Sequence, residues 1–251
     1  MIVLAIETAT STAATALSDE SGLIGSVDIR AGRRHAELLH VAIAGLLDMS
    51  GVSLDRLAGV AVDVGPGLFT GIRVGVAAAK GYAMALGVPV VGLTSLQILR
   101  SGCLAAGQGE AMGVVDLRRG ELAWSLPPAA GEAALDRHGP PTELISDLTA
   151  YFARSGSGGS NAGGPGLVLA GDGAIRAGEA LTAAFGERVV LAGPEWSVPP
   201  VGSLALEGIA ALAAGGGVDP AELEPTYLRD ADVRIHWTTR HDAPGRHGEV
   251  A

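Results

Sequence analysis

The 251-residue sequence has a single cysteine, Cys103, which excludes an intramolecular disulfide and a cysteine-rich zinc site. Aromatic residues make up only 4% of the chain, so aliphatic side chains must fill its core. Basic residues are also few: 17 Lys and Arg against 27 Asp and Glu give a formal net charge of −10, which argues against a stand-alone nucleic-acid-binding protein. The one dense basic group near the start is Arg30, Arg33 and Arg34.

Long apolar runs are missing as well. No stretch reaches the roughly 18 uninterrupted residues of a membrane span, and no basic segment precedes the first apolar residues, so neither a membrane contact nor a signal peptide is expected. The chain is nevertheless 48% apolar and contains 38 glycines. This composition is typical of a folded protein with a sizeable core and many tight turns. We therefore expect a cytoplasmic globular protein.

The order of the apolar segments predicts an α/β protein. Three strands in succession, over residues 2–9, 12–18 and 22–29, favour an antiparallel meander. Helices and strands alternate after them, which is typical of crossover connections in a sheet with parallel members. The predicted helices are residues 34–49 (ended by Gly51), 70–86 (ended by Gly87), one that begins at Thr94 or Ser95, 142–154, 175–185 and 204–214. Further strands are predicted at residues 57–64, 88–93, 111–116, 121–126, 167–170 and 189–191.

A strand that ends in an acid, followed by a short polar turn and a second strand, occurs twice. The two acids are Glu7 and Asp116. The repetition indicates a diverged internal duplication, although so simple an outline also arises by coincidence. Acids at strand ends could hold a hydrated cation between two lobes; the alternative is that they face solvent. Residues 155–166, rich in Ser, Gly, Asn and Pro, are predicted to be a flexible linker.

The densest motif is the segment DVGPGLFTGIRVG at residues 63–75, between a predicted strand and a predicted helix. Free backbone N–H groups at such a helix start can hold a phosphate. The segment is neither a P-loop, because no Lys-Ser or Lys-Thr follows its last glycine, nor a Rossmann fingerprint, because its glycines follow a G-x-G-x-x-x-G spacing. The pattern favours the alternative, a tight turn in which Thr70 caps the helix while Gly71 and Gly75 allow close helix packing.

Other patterns of catalysis or metal binding are weak. His35 and His40 would lie about 140° apart around a helix, on different faces, whereas zinc-binding helices use spacings of three or four residues. Cys103 has no evident partner and is interpreted as a buried structural thiol. The sequence has no G-x-S-x-G nucleophile elbow. We therefore expect no metal site and no catalytic residue.

Five segments occur in the order found in the TsaB (YeaZ) family, which the sequence resembles from its first strand to about residue 229. They are IVLAIETAT at 2–10, HAELL at 35–39, GPGLFTGIRVG at 65–75, VVDLRRGE at 114–121 and EPTYLR at 224–229. The resemblance implies an α/β fold of the actin-like or sugar-kinase-like (ASKHA) type, with two ribonuclease-H-like lobes whose mixed sheets are flanked by helices. It implies an N-terminal lobe at residues 1–106 that carries the partner-binding helices, a C-terminal lobe at 107–229, and a mobile tail at 230–251. The helix at 203–214 is expected to pack back on the first lobe.

The resemblance also implies a function. The chain would be a non-catalytic dimerization or scaffold subunit that binds and activates TsaD, the enzyme that transfers a threonylcarbamoyl group to the tRNA adenosine beside the anticodon. In TsaD, two histidines of an N-H-x-x-x-H motif bind the catalytic metal. Ser95 and Leu99 fall at these positions here, and neither can replace an imidazole.

No metal and no cofactor of its own are therefore implied, and a nucleotide at the interface of the complex stays an open option. The expected partners are TsaD in a heterodimer, TsaE, tRNA only through the complex, and a second copy of the chain in isolation. The alternative is an independent ATPase or small-molecule kinase of the same fold that uses Glu7, Asp116 and the glycine loop. Glu7 weakens this alternative, because the corresponding acid is usually Asp in the superfamily and one extra methylene displaces the carboxylate by ~1.5 Å.

The helices at 34–49 and 70–86 are the expected partner surface. The apolar residues of the first helix cover a wider arc than packing on one sheet requires. The second helix carries small residues, which allow another helix to approach closely. The predicted interface residues are His35, Leu38, Leu39, Ala42, Leu46, Gly71, Gly75, Ala78 and Ala79. A vestigial nucleotide site is predicted at Glu7, Thr8, Gly65, Gly67, Asp116, Gly171 and Gly173.

Overall fold

A computed structural model describes residues 1–128, 134–154 and 166–228 of the chain. These residues form two five-stranded sheets with helices on their faces. The tail predicted at 230–251, and all but the last residue of the linker predicted at 155–166, lie outside the described residues.

The first sheet comes from the N-terminal part of the chain. Its elements and their helices, in chain order, are β1 (Ile2–Glu7), β2 (Thr12–Asp19), β3 (Gly22–Arg30), α1 (His35–Ser50), β4 (Leu57–Asp63), α2 (Phe69–Leu86), β5 (Val90–Leu93) and α3 (Ser95–Ala105). The strand order is β3-β2-β1-β4-β5, in which the first three strands form the predicted antiparallel meander and β4 and β5 add in parallel. Every residue of β1 is buried, as expected of a central strand covered on both faces.

The second sheet repeats this topology. Its elements are β6 (Ala111–Arg118), β7 (Glu121–Ser125), β8 (Asp136–Gly139), α4 (Pro141–Arg154), β9 (Leu167–Ala170), α5 (Asp172–Phe185), β10 (Val189–Leu191) and α6 (Val201–Ala213). Read from β8, the order is β8-β7-β6-β9-β10, with antiparallel and parallel pairs at the same places as in the first sheet. The predicted duplication is confirmed at the level of topology. Two ribonuclease-H-like lobes of this kind constitute the actin-like, sugar-kinase-like (ASKHA) fold.

Side chains that alternate along β1 divide the core of the first lobe into two layers. Leu4 and Ile6 pack under α1 and α2, whereas Val3 and Ala5 pack on the opposite face against α6. The helix α3, although it lies within residues 1–106, packs on β6 and β9 of the second sheet. Each half of the chain therefore gives its last helix to the sheet of the other half. Within the described segments, no helix combines the length and the apolar character needed to cross a bilayer.

Local signals explain where the helices end. Gly51 and Gly87 both adopt left-handed backbone angles directly after α1 and α2, as predicted. Thr94 caps α3 in a capping box with the glutamine three residues later. The predicted cap of α2 is wrong: Thr70 lies inside the helix, and Leu68 at the N-cap position makes no side-chain hydrogen bond.

Candidate functional site

The turn after β1 packs directly on the glycine loop that precedes α2. A Cβ atom at Gly67 would lie 2.1 Å from the carbonyl oxygen of Ala9, and one at Gly71 would lie 2.0 Å from that of Thr8. The Leu68 N–H donates to the Ala9 oxygen at 2.6 Å, and the Thr8 hydroxyl donates to the Gly71 oxygen at 2.8 Å. These glycines are needed for close packing of the chain on itself, which is the interpretation that the sequence pattern favoured over a phosphate loop.

The other glycines predicted for a nucleotide site also stand where a side chain would collide. Gly65 has a left-handed φ of +98°, and its Cβ would lie 2.7 Å from Ile72 Cδ1. Gly171, with φ +114°, would place a Cβ 2.1 Å from the Val114 oxygen, and a Cβ at Gly173 would lie 2.9 Å from the same atom. Packing of the β9–α5 turn on β6 therefore accounts for both of these glycines.

Glu7 ends β1 in the interior of the protein. Its side chain is fully buried and accepts hydrogen bonds from Thr12 Oγ1 at 3.0 Å and from the Thr10 N–H at 3.2 Å. Burial raises the pKa of the Glu7 carboxyl well above its ordinary value, and the neighbouring Asp63 raises that pKa further. The alternative that this acid faces solvent is therefore wrong.

Asp63 is a second buried acid, at the end of the adjacent parallel strand β4. It accepts a hydrogen bond from the Gly65 N–H at 2.7 Å, and the Ser95 hydroxyl lies 2.8 Å from each of its carboxylate oxygens. Burial raises the pKa of Asp63 to about 7. Because the carboxyls of Glu7 and Asp63 interact, the protonation of one affects the protonation of the other. The sequence analysis missed Asp63, although an acid that ends a buried strand was the signal that found Glu7.

Ser95 and Leu99, which the resemblance places at the positions of the TsaD histidines, have structural roles here. Ser95 donates its hydroxyl hydrogen bond to Asp63, and Leu99 is fully buried in an apolar cluster between α3 and the second sheet. Among the described residues, no three His, Cys, Asp or Glu side chains come together in an arrangement that could hold a metal ion.

Asp116, the equivalent of Glu7 in the second lobe, is paired with arginines. Its Oδ2 lies 2.9 Å from Arg118 Nη1, and its Oδ1 accepts from Arg176 Nη1. The Asp116 N–H donates at 2.8 Å to the carboxylate of Asp172. The positive charges of two guanidinium groups therefore balance this acid from within the chain.

His35 and His40 lie on different sides of α1, as their spacing predicts. His35 is buried, and its Nε2 lies 2.9 Å from the Thr10 carbonyl oxygen, so this ring ties the start of α1 to the turn after β1. His40 is exposed, and its Nδ1 lies 3.1 Å from the hydroxyl of Tyr82 on α2. Neither ring is placed to share a ligand with the other.

The residues predicted as the partner interface belong to the core of the first lobe. Eight of the nine are buried in the isolated chain, and only Leu38 is partly exposed. Leu39 and Ala79, for example, are fully buried under α1 and α2. The broad apolar arc of α1 packs on the sheet, so the outward surface of the helix pair consists mainly of other side chains than those predicted, although Ala78 lines the groove between the helices.

That outward surface is made of small and apolar residues. We call it the helix-pair face, and it comprises Ala36, His40, Val41, Ala44, Ala77, Gly81, Met84 and Ala85, all exposed. Val41 is 68% exposed and Met84 66% exposed. A groove between α1 and α2 runs along this face and is lined by Ala78 and Tyr82 as well. Exposed apolar surfaces of this kind mark interaction sites.

Two of the segments that carry the family resemblance meet at the start of α2. The Arg73 guanidinium lies 3.6 Å above the ring of Phe69 and 5.7 Å from that of Tyr227, and the two rings are 5.4 Å apart. Arg73 Nε donates to the Tyr227 hydroxyl at 2.9 Å. The Thr226 N–H donates at 2.8 Å to the carbonyl oxygen of Val64, the residue directly after β4, so the C-terminal segment is attached to the glycine loop and to α2. Arg229, the last residue of that motif, lies outside the described residues.

Comparison with known proteins gives a consistent relationship. A family model described as TsaD, tRNA N6-adenosine threonylcarbamoyltransferase, matches residues 9–133. The tRNA threonylcarbamoyladenosine biosynthesis protein TsaB of Escherichia coli (strain K12) is 30% identical over 126 residues, which are 50% of this chain and 54% of that protein. A tRNA N6-adenosine threonylcarbamoyltransferase of Ruegeria pomeroyi is 46% identical over 72 residues, 29% of this chain and 20% of that protein. The chain thus spans about half the length, or less, of these curated relatives.

Two solved structures extend the similarity over most of the chain. YeaZ from Pseudomonas aeruginosa is 26% identical with a TM-score of 0.69, covering 90% of this chain and 99% of that one. A crystal structure from the same organism, described as similar to peptidase YEAZ, is 27% identical with a TM-score of 0.73, covering 91% and 99%. Sequence segments, topology and these matches agree that the chain is similar to proteins of the TsaB (YeaZ) family.

Proposed function

We propose that the chain is a non-catalytic subunit of tRNA threonylcarbamoyladenosine synthesis that binds TsaD through the helix-pair face and activates it. The observation that carries this proposal is the exposed, small-residue surface of α1 and α2, which the lobe itself does not cover. Small residues allow the backbones of two helix pairs to approach closely, and burial of this surface in a complex is favourable.

Similarity to TsaD itself supports the choice of partner. The matching family model spans residues 9–133, which include both helices, so a partner of that family would present a comparable helix pair. Docking of two such pairs joins the proteins in a pseudo-symmetric way. The subunit would act by binding the active conformation of TsaD more tightly than the inactive one, which shifts the population toward the active state.

The acids and glycines that an ATPase or kinase of this fold would use have other roles here. Asp116 is paired with Arg118 and Arg176, and the glycines at 67 and 71 are packed against the turn after β1. These contacts favour the scaffold function over the enzyme alternative. In this proposal the chain works in the cytoplasm and contacts tRNA only through the complex. TsaE is a further expected partner. A nucleotide at the interface of the complex and self-association of the free chain are subsidiary expectations.

Replacement of Val41 or Met84 by Glu tests the proposal. Both side chains are exposed, so each variant is expected to fold, while a charge placed in the apolar contact is expected to weaken TsaD binding by a factor of at least about 100. Titration calorimetry of each variant against purified TsaD measures the effect.

Ile175→Glu is the matched control, because Ile175 is 48% exposed on helix α5 of the second lobe. It is expected to bind as tightly as the unaltered chain. Wild-type affinity of both Val41→Glu and Met84→Glu would contradict the proposed face.

A further inference from the structure

Arg73 extends the helix-pair face at the start of α2. It lies one helical turn before Ala77, two turns before Gly81, and is itself exposed. Among the described residues, no carboxylate forms an ion pair with it. Other exposed arginines, Arg56 among them, also lack an ion pair among the described residues, and Arg73 differs from Arg56 in how its guanidinium is held.

The guanidinium is held in one orientation although it is exposed. Phe69 covers one side at 3.6 Å, and the Tyr227 hydroxyl accepts the hydrogen bond of Nε. The Nη1 and Nη2 groups have no acceptor among the described residues. An arginine usually loses much side-chain entropy when it binds a ligand, and a stacked guanidinium has already lost part of it. Its free edge is therefore pre-organised for bidentate recognition of a carboxylate or phosphate.

We propose that Arg73 is a specificity-determining residue that binds a carboxylate side chain of the protein partner at the rim of the helix-pair interface, with Tyr227 as its positioning residue. This inference rests on the proposed function and names a contact within it. The C-terminal segment would then contribute to partner binding through its hold on Arg73.

Two observations favour a protein carboxylate over an RNA phosphate. The stripe that Arg73 continues, with Ala77 and Gly81, is an apolar surface suited to another protein. Glu222 and Glu224 are exposed on the same C-terminal segment as Tyr227 and would repel an extended run of phosphates. One carboxylate can approach the guanidinium without meeting these acids.

The experiment measures the affinity of full-length variants for purified TsaD at about 50 mM and about 300 mM salt. Arg73→Gln is expected to weaken binding about tenfold or more at low salt, and to flatten the salt dependence, because a screened ion pair is lost. Arg73→Lys keeps the charge without the bidentate edge and is expected to restore less than half of the lost binding free energy. Tyr227→Phe keeps the ring and removes the acceptor, and is expected to weaken binding about threefold.

Arg56→Gln is the matched control, since Arg56 is exposed directly before β4, at the opposite end of that strand from Arg73. Affinity of Arg73→Gln within a factor of two of this control would overturn the inference. Unchanged TsaD affinity together with weaker capture of tRNA by the assembled complex would overturn it in favour of an RNA contact. If Arg73→Gln binds normally while Val41→Glu does not bind, the inference alone fails; if both bind normally, the proposed function fails with it.

Discussion

Two buried acids, Glu7 and Asp63, stand at the ends of the neighbouring parallel strands β1 and β4. Hydroxyl groups of threonines surround the first, and Ser95 binds the second. Burial raises the pKa of both carboxyls, so the interior of the lobe favours their neutral forms. This environment suits acids that stabilise a turn by hydrogen bonding and does not suit acids that bind a phosphate-bound cation.

The raised pKa of Asp63 predicts how stability depends on pH. The unfolded chain loses this proton near pH ~4, whereas the folded chain keeps it until about pH 7, so the free energy of unfolding should fall as pH rises between these values and stay lower above them. Asp63→Asn cannot titrate at this position and should make the slope shallower, while the raised pKa of Glu7 continues to contribute to it. Urea unfolding between about pH 5 and about pH 8 measures it.

Asp55→Asn, at an exposed acid in the turn before β4, serves as the control and should keep the slope of the unaltered chain. An Asp63→Asn variant with the same slope as the unaltered chain would show that Asp63 titrates alike in the folded and unfolded states.

Among the elements, α1 and α2 combine tight packing on the sheet with an open groove between their outward sides. Gly81 lines this groove, and a Cβ atom there would have no atom of the chain within 4 Å. Glycine in the middle of a helix is less stable than alanine by about 1 kcal/mol. A groove that a partner fills gives a reason for glycine at this position.

Gly81→Ala should therefore stabilise the isolated chain by about 1 kcal/mol and at the same time weaken TsaD binding, because the added methyl group enters the groove. Gly45→Ala in α1 is the matched variant: its Cβ also meets nothing within 4 Å, and Gly45 does not line the groove. It should give the same stabilisation with unchanged binding. Equal affinities of the two variants would mean that the groove stays empty in the complex.

How far each element could be predicted depends on whether its signal is local. The glycines that end α1 and α2, Gly51 and Gly87, act within one turn, and their positions were predicted correctly. For the cap of α3 the sequence left Thr94 and Ser95 open, and the structure shows Thr94. The strand β8 was missed, because its four residues, Asp136–Gly139, show no apolar alternation and depend on pairing with β7.

The parts of the candidate site that depend on contacts between residues distant in sequence could not be predicted. Apolar residues cover a wide arc of α1, so the sequence could not decide whether Leu39 and Leu46 face the sheet or a partner. In the structure both side chains are buried between α1 and the sheet. Asp63 and Ser95 are distant in sequence and meet only because β4 and α3 converge. Arg73 was part of a recognised motif, but its contact with Tyr227 joins opposite ends of the chain.

At the scale of the whole molecule, the two lobes have the same strand topology, but the acids at the corresponding strand, Glu7 and Asp116, have different partners. The first lobe buries Glu7 among hydroxyl groups, and the second pairs Asp116 with two arginines. Both arrangements satisfy the acid from within the chain. Among the described residues, the outward side of α1 and α2 carries exposed apolar side chains such as Val41 and Met84, and the proposed function uses this surface.

Threonylcarbamoylation of tRNA by reconstituted TsaD tests this assignment most directly. The reaction should require the chain, should persist when Glu7→Gln and Asp116→Asn are combined, and should be lost with Met84→Glu. Loss of the reaction in the double variant while TsaD binding is retained, or modification of tRNA by the chain without TsaD, would contradict the account.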